Sequence, residues 1–388
     1  MAAKRVRLAQ RRKAAGYSQE KLAEQLGVER STVVRWETAE TEPQPWQRPN
    51  LARLLDVTLE ELQALLADIT IKPSEPDDRL RRALQQPSQV DLVVAAQLHE
   101  QVRRLDAQYD RTPSTALLGS AGQLHGQVTL LRQNAGNARI RRALYEVEAE
   151  SATFMSQLVW DVSQRRDHTA ALAYLDEAVA AARHIHDQTL EAYATLRKSF
   201  IALYGAHDPA TGVGLAVEAS DLARASSTAL AGLSLLHVAE GLAMMDDGSA
   251  CERALGQAEV LLDQTTPDDL AAEYYTRSEY QRLAGSCYLS LARPERAETV
   301  LRPTVDSLAS KQKSQAIAYG NLTLSLIRQR KLDEAAEAMH RTIDTIELTR
   351  GGGGLAVAFT AGRELRPWQH EPWVGDVHDR LLALMATL

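Results

Sequence analysis

Apolar residues recur three and four positions apart along nearly the whole chain, a period that predicts helices, whereas the alternation expected of strands is scarce. At the N-terminal end the periodic stretches are short. In residues 18–36, Ser18 is placed to cap a helix whose inner stripe is Leu22, Ala23 and Leu26. Gly27 then supplies a turn that a Cβ would strain, and Val28 fills the corner. The next helix opens near Glu29 or Arg30 and buries Val33 and Trp36, leaving Arg30, Ser31, Thr32 and Arg35 on its outer face. Further on, Thr58 caps another helix and Glu61 completes a capping box with it.

Residues 69–88 hold prolines and dense charge without a sustained period, and so predict a linker with one short helical turn at 78–85. Longer helices follow at about 89–109, 114–133 and 137–165, broken at Asp110–Pro113 and Gln133–Gly136. From there a small residue recurs where the second helix of a hairpin must cross the first. Ala171, Gly212, Cys251, Ala297 and Ala335 stand 41, 39, 46 and 38 residues apart. A helix pair cannot bury its apolar face alone, so such copies must stack. The expected organisation is a first domain at 1–68, a linker at 69–88, a helical repeat domain at 89–350 and a helical cap or dimerisation segment at 351–388.

Charge separates the two ends. Residues 1–38 carry nine Lys and Arg against four Asp and Glu, while the remainder carries 35 against 47. Any nucleic-acid footprint is therefore confined to the N-terminal segment, because the acidic remainder repels phosphate. Two short helices meeting at a tight turn, on a basic background, form a helix-turn-helix whose second helix presents its N-terminal end to a major groove.

The segments KRVRLAQRRKAAG, SQEKLAEQLGV, RSTVVRWE and LARLLDVTLEELQALL resemble the Xre or lambdoid-repressor family of helix-turn-helix domains over residues 4–67. That resemblance implies a five-helix, sequence-specific DNA-binding head. It places Gln19 at phosphate and a base, Arg30, Ser31 and Arg35 at base edges, and Thr32 at phosphate. It also pairs Arg12 with Glu37 inside the domain. The connection ETEPQPWQRPN at residues 40–50 departs from the family by being longer and stiffer than a minimal loop. One head contacts few bases, so a homodimer on an inverted-repeat operator of double-stranded DNA is expected.

AYGNLTLSLIRQRKLDEAAEAMHRTID, with QLVWDVSQRRDHTAALAYLDEAV and AGSCYLSLARPERAETVLRPTV, resembles tetratricopeptide repeats (TPR). The implied fold is all-α, a five-helix head followed by a right-handed TPR-like α-solenoid. Its frame turns Gln157, Trp160, Arg197, Lys198, His237, Glu240, Arg282, Ser286, Asn321, Leu324 and Arg328 toward the concave face, a polar and basic set. By resemblance to peptide-binding repeats, Asn321 and Arg282 would hold a peptide backbone and carboxylate. The whole resembles Gram-positive peptide-sensing regulators and the large regulators of actinobacteria. The alternative is an interaction or assembly scaffold with a DNA-binding head and no small ligand.

Other chemistry is not expected. No Walker loop, GxSxG or HExxH is present, and His184 and His186 lie on different helix faces, so neither an enzyme nor a metal or cofactor is predicted. The glycines at 351–354 lack an adjoining lysine and a preceding strand, and read as a flexible joint instead of a phosphate cradle. Cys251 and Cys287 occupy small inward positions suited to packing. No run of eighteen apolar residues occurs, so a soluble, cytoplasmic protein without membrane contact is expected.

Overall fold

The computed structural model describes residues 3–38, 41–67, 70–71, 76–269, 271–349 and 352–386, and in them the helical period of the sequence is realised almost throughout. Two units separate by their internal packing, Met1–Gln85 and Gln86–Leu388.

The first unit holds α1 (Val6–Ala14), α2 (Gln19–Leu26), α3 (Arg30–Glu37), α4 (Arg48–Leu54), α5 (Leu59–Ala67) and α6 (Pro76–Gln85). A two-residue antiparallel ribbon pairs β1 (Ala3–Lys4) with β2 (Thr70–Ile71). Ser18 Oγ accepts the Lys21 N–H at 3.1 Å, and Gly27 ends α2 at a φ of 67°. The left-handed region at that position disfavours any residue with a Cβ. Thr58 N–H donates to Glu61 at 2.7 Å while Glu61 N–H donates to Thr58 Oγ1 at 3.1 Å, so the capping box closes. Leu8, Leu22, Val33, Trp36, Leu51, Leu55, Leu62 and Leu66 form the core. Arg5, which no sequence pattern singled out, is the staple of this unit. Its guanidinium is only 2% exposed and donates to the Leu66, Trp36 and Thr41 carbonyls and to Glu42. The stiff connection before α4 is anchored too, with Pro43 buried and its carbonyl accepting from Arg48 Nε at 3.1 Å. Where a linker with one helical turn was expected, α6 runs for ten residues and closes the first unit.

The second unit is a TPR-like α-solenoid. It begins with α7 (Leu92–Asp106) and α8 (Ser114–Asn134) and continues as hairpins. These pair α9 (Ala138–Val162) with α10 (His168–Ile185), α11 (Gln188–Phe200) with α12 (Pro209–Ala223), and α13 (Thr228–Met244) with α14 (Gly248–Gln264). The remaining pairs are α15 (Arg277–Ser290) with α16 (Pro294–Leu301), α17 (Gln312–Arg328) with α18 (Leu332–Thr349), and α19 (Gly353–Glu364) with α20 (Pro372–Ala386). All five small residues fall on second helices and are buried, as their recurrence predicts. Three turns share one plan: a left-handed residue (His186, His207, Asp246) precedes an Asp (Asp187, Asp208, Asp247) whose carboxylate accepts from N–H groups in the first turn of the next helix. The glycine run is not a joint in its described part. Gly353 and Gly354 are the buried first residues of α19; Gly351 lies outside the described residues.

Candidate functional site

On the first unit, Glu37 at the end of α3 organises the expected reading surface. It accepts from Arg12 Nε at 2.7 Å and from Gln19 Nε2 at 2.6 Å, while Arg12 also donates to the Tyr17 carbonyl. The internal Arg12–Glu37 pair inferred from resemblance is therefore in place, and Gln19 is oriented by the same carboxylate. Arg30 is exposed and paired with Glu20 at 2.6 Å, and Ser31 Oγ donates to Glu29 at 3.0 Å. Arg35 is exposed with no side-chain partner among the described residues, and Thr32 is half-buried. Gln19 opens α2, Arg30, Ser31 and Thr32 open α3 just after the turn, and Arg35 lies in the last turn of α3.

In the second unit the concave side encloses a cavity of about 1380 Å³. Gln157, Trp160, Arg197, His237, Glu240, Arg282, Ser286, Asn321 and Leu324 all line it. Two expected residues do not. Lys198 is tied to Asp176, and Arg328 is held by Glu364 at 2.8 Å and by the Leu289 carbonyl at 3.0 Å, so ion pairs draw both away from the lumen. Nor is the lining simply basic: Asp106, Asp110, Asp161, Glu273 and Glu279 face it as well.

One of those acids pairs with Arg282, and other frame residues are held by neutral or frame partners. Arg282 Nε donates to Glu279 at 2.7 Å, Arg197 donates to Gln157, and Tyr204 donates to Glu240 beside His237. Burial holds His237 below its ordinary pKa even with Glu240 next to it. Tyr204 sits in a single π-helical turn, Ile201–Gly205, a distortion frequent at functional sites. Asn321 is 6% exposed and its amide has no partner among the described residues. The Trp160 indole Nε1 is likewise buried without a partner. Of the two, only the indole Nε1 is itself out of reach of solvent, while the Asn321 amide faces the cavity; a ligand group that bonded either would gain affinity from it.

The first helices of the solenoid meet α17 across this cavity. Lys313, at the start of α17, donates to Ser114 Oγ at 2.8 Å and lies 3.4 Å from Asp161 and 3.4 Å from the Tyr109 ring centre. Tyr109 and Ser114 both donate to the same Asp161 oxygen. Tyr274 donates to Asp106 at 2.9 Å and stacks on Tyr193. Desolvation lowers the Lys313 pKa and raises that of Asp106. None of these closing residues was foreseen, because α7 and α8 precede the repeat and nothing in the sequence joins them to α17.

Among the described residues no helix is long and apolar enough to cross a membrane. The family model described as a helix-turn-helix domain matches residues 5–65. No curated protein matches the chain. Among solved structures, PlcR of Bacillus thuringiensis in complex with the peptide PapR7 and DNA aligns at 14% identity and a TM-score of 0.35, covering 81% of this chain and 98% of that one.

Proposed function

With a helix-turn-helix DNA-binding domain at residues 5–65, we propose that the protein is a sequence-specific transcription regulator whose solenoid cavity takes an effector, most simply a short peptide. The observation that carries the effector half is the unpartnered Asn321 amide in the cavity wall. A side-chain amide offers both a donor and an acceptor, which matches one peptide unit of an extended chain. The volume exceeds the roughly 300–1,000 Å³ usual for small-molecule pockets, and the lining alternates aromatic rings with charges. Gln19, Arg30, Ser31, Thr32 and Arg35 form the DNA surface, and a homodimer spans an inverted repeat with half-sites about one helical turn apart.

A second reading, an assembly scaffold without a small ligand, is favoured by α19. That helix lies along α17, with Val357 against Gly320, and supplies Leu355, Val357 and Phe359 to the cavity wall. The test begins with operator selection by the full-length protein from random DNA. A mobility shift with culture extract or its peptide fraction follows, for the native protein and for Asn321→Ala. The effector reading expects a shift in operator affinity that Asn321→Ala abolishes while effector-free affinity is kept. An unchanged response in the variant moves the ligand elsewhere, and no response in either protein favours the scaffold.

A further inference from the structure

Three segments distant in sequence meet on one part of the cavity wall: the turn after α9, the start of α17 and the glycines that open α19. Gln164 and Arg165 both take left-handed backbone, with φ of 52° and 63°. Such geometry in successive non-glycine residues persists only where surrounding bonds enforce it. Here Arg165 N–H donates to the Trp160 carbonyl at 2.7 Å, and His168 Nε2 donates to the Arg165 carbonyl at 3.0 Å. The guanidinium is thereby laid over the Trp160 indole, 4.5 Å from its ring centre. It also rests against Gly353, where a Cβ would stand 3.1 Å from both terminal nitrogens.

On the other side, Gly352 takes a φ of 77° beside the aliphatic stem of Lys313, and no side chain caps α19. The first N–H groups of a helix carry partial positive charge and attract anions. Trp160 is 4% exposed and lines the cavity, and among the described residues neither its Nε1 nor Arg165 Nε has a hydrogen-bond partner. The nearest carboxylate, Asp161, is 3.9 Å from Arg165 and already accepts from Tyr109, Ser114 and Lys313. Two cations thus share one carboxylate. The glycine run has no lysine next to it in sequence; the fold brings Lys313 and Arg165 to it instead.

We propose that Arg165, the Trp160 indole N–H and the Gly352–Gly354 start of α19 form an oxyanion site in the cavity wall, which receives a carboxylate of the cavity's ligand. A single negative charge fits best, since Asp106, Asp110 and Glu279 line the same cavity and repel a multiply charged group. The inference rests on reading the cavity as a ligand site, but it is measured without DNA or effector. Full-length protein labelled with 5-fluorotryptophan is titrated with acetate and with inorganic phosphate against chloride at matched ionic strength. The Trp160 resonance is assigned by its loss in Trp160→Phe. Acetate is expected to move that resonance saturably and more tightly than phosphate, and Arg165→Gln to raise the half-saturating concentration at least tenfold. Arg165→Lys, which keeps the charge, is expected to recover part of the affinity, and thermal melts report whether each variant is folded. No saturable shift with either anion, or half-saturation unchanged in folded Arg165→Gln, overturns the site; tighter binding of phosphate overturns the carboxylate assignment. If the acetate shift is present while operator affinity never responds to an extract, the regulatory reading fails and the oxyanion site stands.

Discussion

Glu37 shows how much one side chain settles in the head. By accepting from both Arg12 and Gln19 it locks α1 and α2 to the end of α3, so that the groups on the outer face are presented by a fixed frame. Arg35, exposed and without a side-chain partner among the described residues, would spend no existing bond at a base edge under the proposed DNA-binding role. Arg35→Ala is expected to cost about 1–3 kcal/mol at the selected operator and to flatten preference at one base pair. A salt-controlled titration showing equal specific binding would mean that α3 sits in the groove in another register. In the solenoid, His237 Nδ1 lies 2.8 Å from the Tyr204 hydroxyl and 3.1 Å from Glu240, with Arg282 and Arg197 also acting on it. Burial is the largest influence and depresses its pKa, so the folded state binds this proton less readily than the unfolded chain does. Stability from this group is therefore complete above its ordinary value of 6.5 and is lost as the pH falls below it. His237→Gln should make that loss shallower, by up to about 1.4 kcal/mol per pH unit, in denaturant melts between about pH 5.5 and 7.5. Parallel slopes in the two proteins would contradict the assignment.

Elements are where sequence and structure correspond most closely. The Ser18 cap, the Gly27 turn, the Thr58–Glu61 box and the five recurring small residues are local devices, each read from a few adjacent or periodically spaced positions, and all appear as expected. What escaped was set by neighbours not adjacent in sequence. Lys198 and Arg328 have the periodicity of groove residues, yet acids on other helices hold them outside the lumen. The glycines after α18 look like a joint until their packing against α17 is known. Gly232 in α13 is a further case, since a Cβ there would stand 2.3 Å from the Tyr275 ring. Tyr275 is buried and its hydroxyl donates to the Ala258 carbonyl, so the ring cannot swing aside freely. Gly232→Ala is expected to destabilise the solenoid by about 1–3 kcal/mol through overpacking, whereas Gly256→Ala, with open space around it, should not. Equal melting temperatures for the two variants would refute this account.

At the scale of the molecule, the partition into a basic N-terminal unit and an acidic helical array was legible from charge and period, but the closure of the array on itself was not. Contacts that join Ser114 to Lys313 span 199 residues, and no local pattern encodes them. Removing the lysine strands Asp161 in a buried setting with two hydroxyl donors and a distant guanidinium. Lys313→Met is expected to lose about 3–5 kcal/mol and to raise amide exchange in α7 and the start of α8 ahead of the middle hairpins. Uniform exchange across the array would show that the closure carries no special weight.

That closure also changes how the chain must come to be folded. An open stack of helix pairs can acquire structure one repeat after another, since each pair needs only its neighbours. In this array Asp161 and Ser114 leave the ribosome about 150–200 residues ahead of the lysine that completes their cluster. At ordinary translation speeds of roughly 5–20 residues per second, the early hairpins wait on the order of ten to forty seconds for it. During that interval the acid at their edge lacks its lysine and keeps only Tyr109, Ser114 and the more distant Arg165, so the early hairpins and α17 become a single cooperative unit only late in synthesis.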